Sequence, residues 1–492
     1  MRDPLAIITR SVWPLIISVL IQGCMVGPNY NRPPVPQQNG FQTVKGAAPL
    51  QPEDVRWWRS LNDPQLVKYI EQAISGNQNI KEAEARVREA RALRGVAAAS
   101  LQPQVNGSAL YNRSLTSDTA GIISQLPQDL ISRVNFEQNL FQAGFDASWE
   151  IDIFGGRRRE VQAASARAQS SIENHRDVMV SVIAEIARNY VELRGAQRQL
   201  AIAEKNSGIQ EQTLSLVKIR QDAKITSDLE VEQAKAQLER TRGSIPPLQA
   251  SIRGSAYRLA VLTGQPPNAL MEDLLATSPI PNPPDIVPVG LPSDLLLRRP
   301  DLRRAENDLR AATADIGAST ADLYPRFYLT GYADPQSAKF VDLFRANSFA
   351  WSVGPTISWP VFQGGRIRSN IAATEARRDE ALARYRQAVL TAMEDVETSL
   401  VGYAEHQVER ERLALSVESQ SRAVKLARER FETGIRDFLT VLDAERQLRD
   451  VENSLAVSET QVLENLISLY KALGGGWQQT DDVSAHPGDN RS

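Results

Sequence analysis

The chain has 492 residues, 42% apolar and 23% charged, enough for one large core or for several thin layers in its place. A net charge of -3, with no acidic run or basic tail, gives no electrostatic basis for nucleic-acid binding. One cysteine excludes an internal disulfide, and three scattered histidines (His175, His406, His486) leave no metal-ligand spacing.

Residues 1–23 read as a signal peptide: Arg2 and Arg10 precede an apolar run over 11–21, too short for a spanning helix, which needs about 20 residues. The run ends at Cys24. Ile21-Gln22-Gly23-Cys24 resembles a bacterial lipoprotein cleavage box, whose thiol takes a diacylglycerol and whose new amino terminus is acylated. Met25 stands where an Asp would signal retention at the inner membrane, so the resemblance points to the outer one. Residues 24–63 are then a lipidated, extended N-terminal segment. Trp57 and Trp58 within it are expected to pack rather than to bind.

The rest is a duplication, residues 64–264 and 292–476. Ile80, Ala83, Glu84, Arg88 and Ala90 recur as Leu302, Ala305, Glu306, Arg310 and Ala312, and Leu101-Gln102-Pro103 as Leu323-Tyr324-Pro325. Gly155-Gly156-Arg157 recurs as Gly364-Gly365-Arg366; Arg220, Ile225, Leu229, Val231 and Ala234 recur as Arg430, Ile435, Leu439, Val441 and Ala444. The offset drops from 222 to 209 residues between Leu101 and Gly155, so the first copy carries a longer excursion there. Residues 265–291 form a Pro-rich linker, expected to be extended, and residues 477–492 a polar, disordered tail.

Each copy predicts helix, strand pair, long helix, turn, helix. Residues 64–100 and 292–322 are rich in Ala, Glu, Arg and Leu and end before Pro103 and Pro325. Residues 145–153 alternate apolar and polar at every step, and Trp351, Val353, Ile357, Trp359 and Val361 repeat the pattern, as two-faced strands do. Partner strands fall at 104–113 and 326–333. The long helices, 157–221 and 366–431, are on the order of 100 Å each, with thin apolar stripes: Met179, Ile183, Ile186, Tyr190, Leu193, and Val389, Met393, Val396, Leu400, Tyr403. The segments 64–100 and 229–264 together match one long helix and are expected to stack end to end.

Four two-faced strands in an open sheet would leave an apolar face and two edges uncovered. Closing a barrel covers both, and one chain is too few: three chains give twelve strands around a lumen lined by residues such as Asp146, Ser148, Glu150 and Asp152. The same threefold axis arranges the helices as a second cylinder reaching into the periplasm. Trp149, Trp351 and Trp359 are candidates for an interfacial aromatic belt.

The run from Leu291 to Gly331, the FGGR and FQGGR turns, and the run from Gly434 to Leu448 closely resemble the TolC-like outer-membrane factors; the run from Cys24 to Pro36 resembles their NodT-type lipoprotein branch. The resemblance covers nearly the whole mature chain. It implies an α+β membrane protein, a homotrimer whose long helical hairpins form an α-barrel and whose strands complete a twelve-stranded transmembrane β-barrel, held in the outer membrane and extending into the periplasm. It also implies docking on a periplasmic adaptor and a proton-driven inner-membrane pump, passive passage of drugs or similar small solutes, and neither catalytic site nor cofactor. Protein secretion with an ATP-driven partner remains the alternative conduit; metal-ion efflux is disfavoured by only five Met and three His.

By the same resemblance the hairpin tips, 222–228 and 432–438, close the tunnel. Leu439 and Asp443 take the places of an apolar ring and an aspartate ring, with Arg436 and Glu230 near the hydrogen bonds that hold it shut. Three Asp443 carboxylates around one axis would favour cations. Thr440 stands where some relatives carry a second acidic residue, and Phe431 replaces a tyrosine seen in some relatives. No phosphate loop, nucleophile elbow or CxxC supports an enzyme. A periplasmic adaptor lipoprotein would also have helical hairpins, but would not need two symmetric strand pairs.

Overall fold

The computed structural model describes residues 25–34, 52–117, 136–284 and 298–477. The leader 1–23, Cys24 and residues 478–492 lie outside them, as does part of the linker. In chain order the elements are a 3-10 segment (Pro52–Leu61), α1 (Pro64–Gly76), α2 (Gln78–Ala99), β1 (Gln104–Leu115), β2 (Glu137–Ile151), α3 (Gly156–Asp222), α4 (Asp228–Gly243), α5 (Ile245–Leu262), α6 (Met271–Leu275), α7 (Pro300–Ala321), β3 (Arg326–Ser337), β4 (Phe349–Ser358), α8 (Arg366–Glu432) and α9 (Phe438–Ala472). They divide into a strand-bearing unit (Met1–Pro33, Arg88–Gln169, Asn307–Ala383) and a helical unit (Pro34–Val87, Ser170–Glu306, Arg384–Ser492).

The strand-bearing unit holds one antiparallel sheet in the order β1-β2-β3-β4. Each strand pairs with its sequence neighbour over most of its length, which makes β1 and β3 longer than their weak alternation indicates. Strand β2 likewise begins at Glu137, because its non-alternating start pairs with the end of β1, Tyr111 opposite Phe141.

In the helical unit the expected apolar stripe of α3 is buried throughout: Met179 is 1% exposed, and Ile183, Ile186, Tyr190 and Leu193 are fully buried. Val389, Val396 and Leu400 of α8 are buried too, packed with Leu469 of α9 and Leu473 just after it. The helices α3 and α8 are 67 residues each. Each ends in one turn type. The Ile225 amide donates to the Arg220 carbonyl at 2.8 Å and Lys224 to Gln221 at 2.7 Å; Ile435 donates to Arg430 at 2.9 Å and Gly434 to Phe431 at 3.0 Å. This pairing requires a left-handed residue, and Lys224 (φ 59) and Gly434 (φ 75) supply it.

The single helix expected over 64–100 is two, divided at Asn77. That residue is buried, and its side chain works at both ends of the break. Its Oδ1 accepts from the amides of Asn79 and Ile80 at the start of α2, while its Nδ2 donates to the Leu262 carbonyl at the end of α5, 2.7 Å away. It thus splices α5 to α2 end to end, satisfying orphan groups on both helices. Segment 229–264 is also two helices, α4 and α5. They part at Ser244 because Pro246 and Pro247, lacking amides, are tolerated only in a first turn.

The second copy repeats the splice with different chemistry. Arg299, the repeat equivalent of Asn77, donates from Nη1 to the Ala472 carbonyl at the end of α9, 3.1 Å away. Asp301 and Asp395 hold its guanidinium at 2.7 and 3.1 Å. Two expectations need correction. The described part of the linker is not wholly extended: α6 forms because Leu270 and Leu274 are buried in the core. Trp477, assigned to the tail, is 6% exposed; its indole donates to the Arg298 carbonyl at 2.9 Å and lies under the guanidiniums of Arg176 and Arg303. Trp57 and Trp58 are buried, as expected, with Trp57 stacked on Tyr470 at 5.0 Å.

Asn77→Ala leaves the Leu262 carbonyl and the α2 amides without partners and should cost about 2 kcal/mol, read as a lowered urea midpoint by tryptophan fluorescence in detergent. Lys224→Gly relieves a left-handed lysine worth about 1 kcal/mol; amides around Ile225 should exchange hydrogen several-fold more slowly, whereas Gly434→Ala should speed exchange around Ile435.

Candidate functional site

Two regions carry the functional candidates, the sheet and the helix tips. The sheet register sorts every side chain. Val105 lies opposite Ala147, Tyr111 opposite Phe141, Trp149 opposite Leu329, Phe327 opposite Ile357, and Gly331 opposite Val353, all at positions of one parity. One face is therefore apolar across four strands up to Tyr111 and Phe141, beyond which Arg113, Asn139 and Glu137 take the same parity at the outer end of β1 and β2, and most of it is uncovered: Phe145 is 65% exposed, Trp351 67% and Val353 63%.

The other parity collects Asn106, Asp146, Ser148, Glu150, Tyr328, Thr330, Thr356 and Ser352. Here Asn106 donates to Asp146 at 3.0 Å, and the Arg157 guanidinium reaches Glu150 at 3.0 Å. Of the residues named as lumen candidates, Asp146, Ser148 and Glu150 fall on this polar face, whereas Asp152 lies just past the end of β2 at Ile151 and accepts from the Arg158 amide at 2.9 Å. Trp149 and Trp359 meet equivalent partners, their indoles donating to the Leu101 and Leu323 carbonyls at 3.0 and 3.1 Å where the helices lead into the strands.

At that same end of the sheet the segment after Cys24 is fastened. The Val26 amide donates to the Phe154 carbonyl at 3.1 Å, and the buried Arg159 donates to the carbonyls of Val26 and Gly27 and to Asn29 Oδ1 at 3.1, 3.2 and 2.9 Å. Gly27, at φ 83, passes so close to Gly317 that a Cβ would lie 2.5 Å from its Cα. Arg310 lies over the Tyr30 ring at 5.0 Å.

The tips belong to the helical unit. Phe438, fully buried, packs on Phe431 at 5.7 Å, with Val217, Val231 and Val441 around them, and Arg220 covers Phe431 and donates to its carbonyl at 3.1 Å. This cluster ties the second tip to the first. Leu439 and Asp443 point away from it, one turn apart on α9 and both half exposed. The Asp443 carboxylate accepts from Arg446 and Gln447, each at 2.7 Å. Glu230 caps its own helix, accepting from the Ser227 amide at 3.0 Å. Arg436 is exposed beside Asp437, whose carboxyl the hydroxyl and amide of Thr440 hold below its ordinary value. Leu439, Arg436 and Asp443 thus share one tip, while Glu230 starts the helix after the other.

Glu445 escaped the sequence reading. It is 6% exposed, bonded to Arg428 Nη2 at 2.6 Å and near Thr213 Oγ1 at 3.4 Å, so it joins α9, α8 and α3. Its signal was its spacing: it continues the buried stripe Phe438, Val441 in helical steps, an unusual place for a carboxylate.

The family model for outer membrane efflux proteins matches residues 69–265 and 291–475. The chain is 29% identical over 484 residues to the toluene efflux pump outer membrane protein TtgF of Pseudomonas putida, covering 96% of this chain and 98% of that one. It is 31% identical over 470 residues to the pyoverdine export outer membrane protein OpmQ of Pseudomonas aeruginosa, covering 93% and 96%. The solved outer-membrane channel OprN superposes with a TM-score of 0.85 at 34% identity, over 92% of this chain and all of that one. With both halves and the whole sheet-and-helix architecture matched, the chain belongs to the outer membrane efflux protein family, non-enzymatic exit channels of tripartite efflux systems.

Proposed function

We propose that three copies close a twelve-stranded barrel whose apolar face meets lipid and whose polar face lines the solute path. One observation carries this reading: the register gives the sheet one apolar and one polar face while β1 and β4 remain unpaired edges in the single chain. Pairing β4 of one copy with β1 of the next removes both edges and covers the apolar face with lipid at once. The helices then continue the conduit as an α-barrel, where it meets a periplasmic adaptor and a proton-driven inner-membrane pump. The cargo is small solutes, a class supported by the relatives named for toluene and pyoverdine.

Leu439 and Asp443 form the narrowest rings in this reading, with Arg436 and the Glu230 cap beside them. Their exposure in the single chain, next to the buried Phe438 cluster, supports an inward-facing role. Cys24 carries the lipid anchor. The fastening of Val26 to Asn29 beside the helix-side end of the strands supports this, because it holds the residues that follow Cys24 in sequence against the end of the proposed lipid-facing wall. Mass spectrometry of the mature amino terminus should find diacylglycerol and a further acyl chain there, and an unmodified thiol would remove the anchor.

Native mass and single-channel conductance of the detergent-solubilised protein test the conduit, with a trimer of small, cation-selective conductance expected. A non-conducting monomer would sink the barrel. Asp443→Ala should raise conductance several-fold and reduce cation selectivity, since the Arg446 charge is left unbalanced; unchanged conductance and selectivity would remove Asp443 from the gate.

A further inference from the structure

The connection between β3 and β4 lies at the end of the sheet away from the helices, since β3 leaves α7 at Arg326 and β4 leads to α8 after Ser358. It is a folded loop. The amides of Asp342, Leu343, Arg345 and Ser348 donate to the carbonyls of Lys339, Phe340, Asp342 and Arg345 at 2.9–3.2 Å, and Ser348 Oγ donates to the Asp342 carbonyl at 2.7 Å. Leu343 is 3% exposed and anchors it. Yet Phe340, Val341 and Phe344 are 62%, 79% and 79% exposed, so an ordered backbone holds three large apolar side chains outward.

Their position relative to the wall is given by a chain of rings. Phe340 meets Phe141 edge-on at 5.7 Å, and Phe141 stacks on Tyr111 at 4.6 Å. Phe141 and Tyr111 sit opposite each other at positions of the apolar parity. The loop's exposed patch therefore continues the apolar parity past the end of β3, beside the outer end of the β1–β2 pair where Arg113 bonds Glu137, and does not continue the polar one. Lys339 and Arg345 are exposed on either side of it, Arg345 paired at Nε with Asp342 at 3.1 Å, so that Lys339 carries the positive charge nearest to where phosphate groups would lie while the three apolar side chains go deeper.

We propose that this loop is a membrane foot: Phe340, Val341 and Phe344 enter the boundary between headgroups and acyl chains of the outer leaflet, fixing the depth of the strands, and the loop does not cover the mouth of the conduit. This rests on the reading that the apolar face meets lipid.

The test uses the full chain with single cysteines introduced by Phe344→Cys, Val353→Cys or Ser352→Cys, labelled with an environment-sensitive fluorophore and reconstituted in vesicles of zwitterionic and anionic phospholipid. The unsubstituted chain passes through the same labelling to expose any reaction at Cys24. Some of the lipid carries a nitroxide quencher near the headgroup or, in a second sample, near the chain end. The label at Val353 should be quenched and that at Ser352 spared. The label at Phe344 should be quenched about as strongly as Val353, and more by the shallow nitroxide than by the deep one. The double variant Phe340→Ser, Phe344→Ser should leave conductance unchanged. Quenching at Val353 without quenching at Phe344, or a conductance raised about twofold or more by the double variant, would overturn the foot and make the loop a lid. No quenching at Val353 would overturn the lipid-facing wall, and the foot with it.

Discussion

Everything in the helical unit depends on making two short helices do the work of one long one. A helix end leaves about four amides or four carbonyls without partners, and here two ends meet inside packed structure where water is not available to satisfy them. The chain solves this twice, with a side chain from the residue before one helix reaching the last turn of another. Asn77 does it with a neutral amide that donates and accepts. Arg299 does it with a guanidinium that needs Asp301 and Asp395 to balance it. Burial opposes ionisation of Asp301, but Arg299 outweighs burial and holds that carboxyl below its ordinary value. The stability this adds is present above the ordinary carboxylate pKa and fades on acidification, whereas the Asn77 splice does not titrate.

The duplication accounts for why so much of this was legible in residues alone. A motif seen twice at a constant offset fixes equivalent turns, and the structure returns them as equivalent geometry: Lys224 with Gly434, Trp149 with Trp359, Asn77 with Arg299. Ser75, Gly76, Asn77 and Asn79 are weak helix formers that mark the break locally, but the Ala-, Glu- and Arg-rich stretch that follows outweighed them, and the partner that fixes the interruption lies some 185 positions away in sequence. The α6 turn was hidden for a related reason: Leu270 and Leu274 are ordinary in a proline-rich window until the core that takes them is known. At the tips, Leu439 and Asp443 were found by resemblance, while Phe438, Glu445 and Arg446 were missed because their importance lies in what they touch.

The sheet shows how strictly one register constrains a wall. Side chains alternate, so a slip of one residue would carry Trp149, Phe327 and Val353 to the polar face and Asp146 and Glu150 to the apolar one. The partner strands β1 and β3 alternate weakly by themselves, yet pairing with the strongly patterned β2 and β4 leaves them one acceptable register.

The two copies diverge where the proposed gate needs them to. After the first long helix, a left-handed lysine leads into Glu230 capping its own helix through Ser227. After the second, a glycine leads into Phe438, buried against Val217 and Val231 of the first hairpin. The second tip thus presents Leu439 and Asp443 outward while its neighbouring residue is inserted into the first. Any movement of Leu439 and Asp443 away from the proposed rings must withdraw Phe438 from that cluster or carry the first hairpin along. Glu445, bonded to Arg428 and near Thr213, resists the withdrawal one turn further up the same stripe. The proposed gate is then held shut within each chain, and a partner that opens it has to act on the hairpins as a pair.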